Sequence, residues 1–253
     1  ALCRQVFGQY LAQLSFTPVT QIHLLAEKLH VTSQSRVLEL APGTGGLSVY
    51  LAKLTGCHLV GVDASPIAVK IANRRAMQQG LAERVHFEVG ILPQLLYPDS
   101  SFDVVISIDS VYGVPEKISL FRGCYRVLRP GGYLGFYTLY RRRKIYAESP
   151  MHGRAYFWFP SQSYSILLEQ AGYQGILKMD LTEDFIRLAK RWLKAIRENR
   201  ASLEKELGIK RTKGLLMGDI AIALSLASEG CIGRALYKAQ KPLCWEERNM
   251  PSG

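Results

Sequence analysis

The stretch Val37-Leu38-Glu39-Leu40-Ala41-Pro42-Gly43-Thr44-Gly45-Gly46 decides the reading of this chain. An apolar strand runs straight into a glycine loop, and Leu47 to Leu54 resume at helical spacing. Glycine serves where backbone must turn sharply or approach a ligand closely, because a Cβ would collide there. A GxGG loop by itself also fits a plain tight turn into a helix, so the residues around it carry the argument. Glu39 lies four residues before Gly43 among apolar neighbours, a costly place for a carboxylate without a partner. Asp63 ends the next apolar run, 20 residues beyond Gly43, where a ribose-binding acid belongs in dinucleotide and nucleoside sites. Capping the helix that begins near Pro66 is its other available role.

Outward from the loop, short apolar runs alternate with helical patterns as far as Asp180, the signature of repeated βα units and a mostly parallel sheet. Strands are expected over Arg36–Ala41, His58–Asp63, Val85–Val89, Asp103–Asp109, Gly132–Tyr137 and Gln174–Asp180, and Gly233–Ala239 reads as a last strand. Their composition suits a sheet covered on both faces. Thr182-Glu183-Asp184 opens a long helical pattern that Gly208 can terminate, with Phe185, Leu188, Trp192 and Ile196 on one face. Lys190, Arg191, Lys194, Arg197 and Arg200 crowd its other faces, and a second apolar segment, Gly214 to Ala227, follows. The expected organisation is one α/β domain over 1–253. It comprises an N-terminal helical segment (1–34), a core (35–181), a helical cap (182–230), a last strand (231–242) and a tail (243–253).

With 253 residues, 48% of them hydrophobic and 21% charged, the chain reads as globular rather than fibrous or disordered. Five scattered cysteines without a CxxC pair argue against a disulfide framework or zinc site and for reduced thiols in a cytoplasmic protein. No signal peptide or transmembrane run is expected. The dispersed His23, His30, His58, His86 and His152 suggest no metal site. A net charge of +11 biases the partners toward anions: nucleic acid, an acidic membrane surface or a phosphorylated substrate.

Val37 to Leu51, Val60 to Ser65, Ser101-Phe102-Asp103-Val104-Val105 and Arg126-Val127-Leu128-Arg129-Pro130-Gly131-Gly132 together resemble the successive motifs of class I S-adenosylmethionine (SAM)-dependent methyltransferases. The resemblance spans Ser35 to Asp180 and is strongest to the branch with the ubiquinone/menaquinone and sarcosine or sterol enzymes. It implies a Rossmann-like fold and methyl transfer from SAM, leaving S-adenosylhomocysteine (SAH), to a small or lipid-like acceptor. By the same resemblance Glu39 would reach the methionyl amino group, and Ala41, Gly43 and Gly45 would lie against the cofactor through backbone. Asp63 would hold the ribose and Ala64 would lie beside the adenine. Where the family has an adenine-contacting aspartate this chain has Ile91, so that contact falls to the backbone of Ile91 and Leu92.

Asp109-Ser110-Val111-Tyr112-Gly113 occupy the stretch that in this family faces the sulfonium methyl and the acceptor. Asp109 is a candidate base, acceptor anchor or strand-end cap, and Tyr112 a candidate wall. Tyr140-Arg141-Arg142-Arg143-Lys144 after the fifth strand offers guanidinium groups to an anionic acceptor, or is a solvated basic loop. Trp158, with Tyr146, Tyr156, Phe157 and Phe159, suggests a greasy or flat acceptor, or else packs in the core. No nucleic-acid methyltransferase motif accompanies the basic residues, which sets RNA behind small molecules and lipids, and a SAM-binding protein that does not methylate is the other alternative. The cap is expected to fold over the acceptor, with its basic face available to an anionic membrane.

Overall fold

The computed structural model describes residues 2–7, 11, 15–143 and 160–243. After helices α1 (Leu2–Phe7) and α2 (Val19–Lys28), strands and helices alternate: β1 (Arg36–Leu40), α3 (Gly46–Thr55), β2 (His58–Asp63), α4 (Pro66–Gln78) and β3 (Val85–Val89). The second half runs β4 (Phe102–Ile108), α5 (Lys117–Val127), β5 (Leu128–Arg141), α6 (Ser161–Gln170) and β6 (Gln174–Asp180). Four helices follow, α7 (Thr182–Glu198), α8 (Arg200–Leu207), α9 (Ile209–Met217) and α10 (Asp219–Ser228), before β7 (Ile232–Gln240). The sheet has seven strands in the order β3-β2-β1-β4-β5-β7-β6. β7 alone runs antiparallel to its neighbours. This is the Rossmann-like α/β sheet expected, with helices on both faces and the helical cap before the last strand.

Strand alternation divides the core in two. Val37, Leu59, Val104, Ile106 and Tyr137 pack with α2, α3 and α4 on one face. Leu38, Leu40, Val105, Leu134, Phe136 and Tyr140 pack with α5 and α6 on the other. Because β1 and β4 are neighbours while the chain winds outward from each, their carboxyl ends flank the crevice where open α/β sheets hold ligands.

Local chemistry accounts for the boundaries. Gly45, with φ +71°, precedes α3, and a Cβ there would lie 2.8 Å from Ala72 Cβ and from Phe87 Cζ. Pro66 opens α4 behind the Ser65 cap, whose Oγ accepts from the Ala68 amide at 3.2 Å. α7 is amphipathic, burying Phe185, Leu188 and Ile196 while Lys190, Lys194 and Arg197 stay exposed. Gly208, with φ +84°, ends α8. The apolar run Gly214 to Ala227 is not one helix but parts of two, because the chain breaks at Gly218.

β5 is longer than expected. Pairing with β7 carries it on to Arg141, so Tyr140 faces Gly233 and Arg141 faces Ile232 inside the ladder rather than in a loop. Gly233 permits this contact, since a Cβ there would come within 2.5 Å of Tyr140 Cζ.

Candidate active site

Glu39 and the glycine loop form the first half of the site. On β1, Glu39 points to the α3 face, is 2% exposed and has an Oε2 with no hydrogen-bond partner. Burial pushes its pKa up to about 7, with Ser48 opposing the rise and the negative charge of Asp63 adding to it. A half-ionised carboxyl in a dry site suits a cationic group that supplies the missing charge. Above it, Ala41 and Gly43 have φ of +52° and +58°, and a Cβ on Gly43 would meet no atom within 4 Å, so the loop backbone faces open space.

Asp63 ties this loop to β2. Its Oδ2 accepts from the Gly43 amide at 2.8 Å and its Oδ1 from the Ser65 amide at 2.9 Å. The α4 cap is therefore Ser65, and Asp63 keeps unused lone pairs for a ligand hydroxyl. Ala64 and Ile91 follow the paired ends of β2 and β3, and both are exposed, Ile91 by 68%. Leu92 is half-buried against the Leu38–Leu40 core layer.

The second half centres on Asp109, just after β4, and corrects the expectation of a free base. Arg234 Nε and Nη2 reach its two oxygens at 3.0 and 2.9 Å, and Thr17 Oγ1 donates to Oδ2 at 2.9 Å. Arg234 is 1% exposed and the Asp109 side chain 10%. A carboxylate gripped bidentately by a buried guanidinium has its oxygens committed to the protein. Tyr112 stands in a 3-10 turn, Val111–Gly113, and packs against Leu139, Phe185, Ile186 and Ala223, where the cap meets the sheet.

Tyr140 and Arg142 are corrected as acceptor contacts. Tyr140 is 2% exposed and donates to Asp180 Oδ2, to which Arg142 Nη2 also donates at 2.6 Å. Burial favours the neutral Asp180, but hydrogen bonds from Thr182, Tyr140 and Arg142 outweigh it and hold the carboxyl well below the usual range. Both side chains thus brace the β6–α7 junction on the α5–α6 face. Arg141 alternates to the opposite face, in line with Tyr137 and Leu139. Trp158 and the other aromatic residues between 144 and 159 lie outside the described residues.

The sequence reading missed Arg234, Thr17 and Gln21. A signal existed: Arg234 interrupts the apolar run Ile232 to Leu236 just as Glu39 interrupts Val37 to Leu40. The two are the only charges in those stretches.

Residues 37–132 match the profile of a methyltransferase domain. That stretch, from β1 into β5, is the part of the chain that carries the methyltransferase-domain match. Among curated relatives, phosphoethanolamine N-methyltransferase 1 of Arabidopsis thaliana is 31% identical over 205 residues, covering 80% of this chain and 40% of the relative. The sterol 24-C-methyltransferase ERG6A of Gibberella zeae is 32% identical over 115 residues, 46% of this chain and 30% of the relative. This chain thus spans well under half the length of those relatives. The solved phosphoethanolamine N-methyltransferase 2 of Haemonchus contortus, in complex with phosphomonomethylethanolamine and SAH, shares the fold with a TM-score of 0.86 at 21% identity. That superposition covers 95% of this chain and 57% of the other.

Proposed function

We propose that this chain binds SAM at the carboxyl ends of β1 and β2 and methylates a small or lipid-like acceptor that is neutral or anionic. The observation that carries the cofactor is the buried, unpartnered Oε2 of Glu39 beneath a loop whose Gly43 faces open space. Glu39 holds the methionyl ammonium, the Ala41, Gly43 and Gly45 backbone lies along the ligand, and Asp63 takes the ribose hydroxyls. Ala64, Ile91 and Leu92 line the adenine with apolar surface and backbone. Bound SAM supplies an electrophilic methyl group, and the chain's own part is to position the acceptor and exclude water.

The charge at the acceptor end supports the acceptor class. Arg234 cancels Asp109, so that carboxylate is not free for an ammonium, while Arg141 has no acidic partner among the described residues. Tyr112 forms a wall between that end and the cap. We further propose a cytoplasmic protein whose basic α7 to α9 surface meets anionic lipid at a membrane. No helix among the described residues is long and apolar enough to cross one.

Calorimetric titration with SAM, SAH and NAD tests the cofactor. Binding of both adenosyl ligands and not NAD is expected. No binding of either would reject the site assignment.

A further inference from the structure

Arg234 spends every arm of its guanidinium on other parts of the chain. Besides Asp109, it donates from Nη1 to Gln21 Oε1 at 2.6 Å and from Nη2 to Thr17 Oγ1 at 2.7 Å, the latter 217 residues away in sequence. The guanidinium lies 4.9 Å from the centre of the Tyr137 ring, whose hydroxyl donates to the Gln21 carbonyl at 2.7 Å. One buried knot therefore joins the segment leading into α2 to the ends of β4 and β5 and to β7. α2 has no side-chain cap of its own, its N-cap being Pro18, so these contacts are what hold its entry.

Described residues on the N-terminal side of this knot touch both halves of the site. Upstream, the Leu11 carbonyl crosses the start of α3 so closely that a Cβ on Gly46 would stand 1.6 Å from it, and Arg75 Nη1 donates to that carbonyl at 2.9 Å. Phe16 meets the cap, edge to face with Phe185 at 5.9 Å and with Trp192 at 6.3 Å. Val6 and Phe7 pack against Leu188 and Ala195 of α7.

From this geometry we infer that Arg234 is a positioning residue: it latches residues 15–21 to the ends of β4, β5 and β7 and holds Phe16 on the cap, so that release of the cofactor is slowed. The inference rests on the methyltransferase reading for its purpose and on Arg234, Thr17 and Gln21 for its mechanism. A guanidinium buried for Asp109 alone would leave donors without acceptors, at a high desolvation cost. Thr17 and Gln21 accept from two of the donors that Asp109 leaves over, so those donors are partnered only when the segment is in place.

Hydrogen exchange and SAH release, measured on the full chain, test this. The variants are T17V and T17V/Q21L, which leave the Arg234–Asp109 pair intact, with T17S as the variant that keeps the hydroxyl. In T17V/Q21L, amides of residues 15–29 are expected to exchange about tenfold faster and SAH to dissociate about tenfold faster, with β1 and α3 amides unchanged. T17S is expected to hold both near wild type. R234K, which keeps the charge but not the fork, is expected to loosen the same segment. Wild-type exchange over 15–29 in a folded T17V/Q21L protein would overturn the latch, and faster exchange with unchanged SAH release would overturn its retention role. If the wild type bound no SAH the cofactor reading would fall by itself, and exchange over 15–29 would still decide whether Arg234 latches the segment.

Discussion

Glu39 and Asp109 make an instructive pair. Both are shielded acids near the carboxyl ends of the adjacent central strands β1 and β4, yet Glu39 has an oxygen with no partner and Asp109 has a buried arginine on both. A low-dielectric site penalises an uncompensated charge, so the acid without a cation marks where a ligand's positive charge belongs. The acid with one has become architecture. The Glu39 end thus has a carboxyl oxygen open to a ligand, while the Asp109 carboxylate is taken up by the protein's own polar network.

Breaking that network should have the largest effect. R234M leaves Asp109 buried and uncompensated and is expected to lower stability by about 3–5 kcal/mol in urea titrations. The double variant D109N/R234M should recover much of that loss. If it does not, the pair is not acting as a pair.

Glu39 should respond in the opposite sense. Its pKa is raised from 4.5 to about 7 in the folded, ligand-free chain, so between those values the native state holds a proton that the unfolded chain has released. The stability it contributes is full below 4.5 and is lost as pH rises toward 7. Relative to wild type, E39Q should gain roughly 3 kcal/mol across that window, seen as a difference between urea midpoints at pH 4.5 and 7.5. It should also bind SAM more weakly. A parallel pH profile for the two proteins would show that Glu39 is compensated by something other than a ligand.

Two smaller effects sharpen the cofactor half. D63A removes the acceptor for the Gly43 amide and for the ribose, and should cost about 1.5–3 kcal/mol of SAM affinity by calorimetry. Unchanged affinity in a folded variant would refute the ribose assignment. I91D places a carboxylate beside the adenine and should tighten SAM binding by about 1 kcal/mol. Weaker binding there would mean that the adenine rests on the apolar surface itself.

Legibility followed the range of the interactions. β2, β3 and β6 have the bounds that their apolar runs and turn residues suggest, because those signals lie within a few residues of each strand. β5 overran its expected end because its last residues are held by β7, far along the chain. The Tyr140 to Lys144 cluster read as one basic loop, but strand alternation splits it, sending Tyr140 and Arg142 to Asp180 on one face and Arg141 to the other. Glu39 and Asp63 could be picked out because an acid at a fixed distance from a glycine loop is a local pattern. Arg234 could not be matched to Asp109, since only pairing across the sheet brings residues 125 apart into contact.

The sequence by itself determined the alternating strands and helices and the glycine loop with its acids, since hydrophobic periodicity, glycine chemistry and loop-to-acid spacing are written along contiguous residues. Tertiary structure alone decided which acid is free and which is paired, because burial and charge compensation belong to neighbours that the chain brings together only on folding.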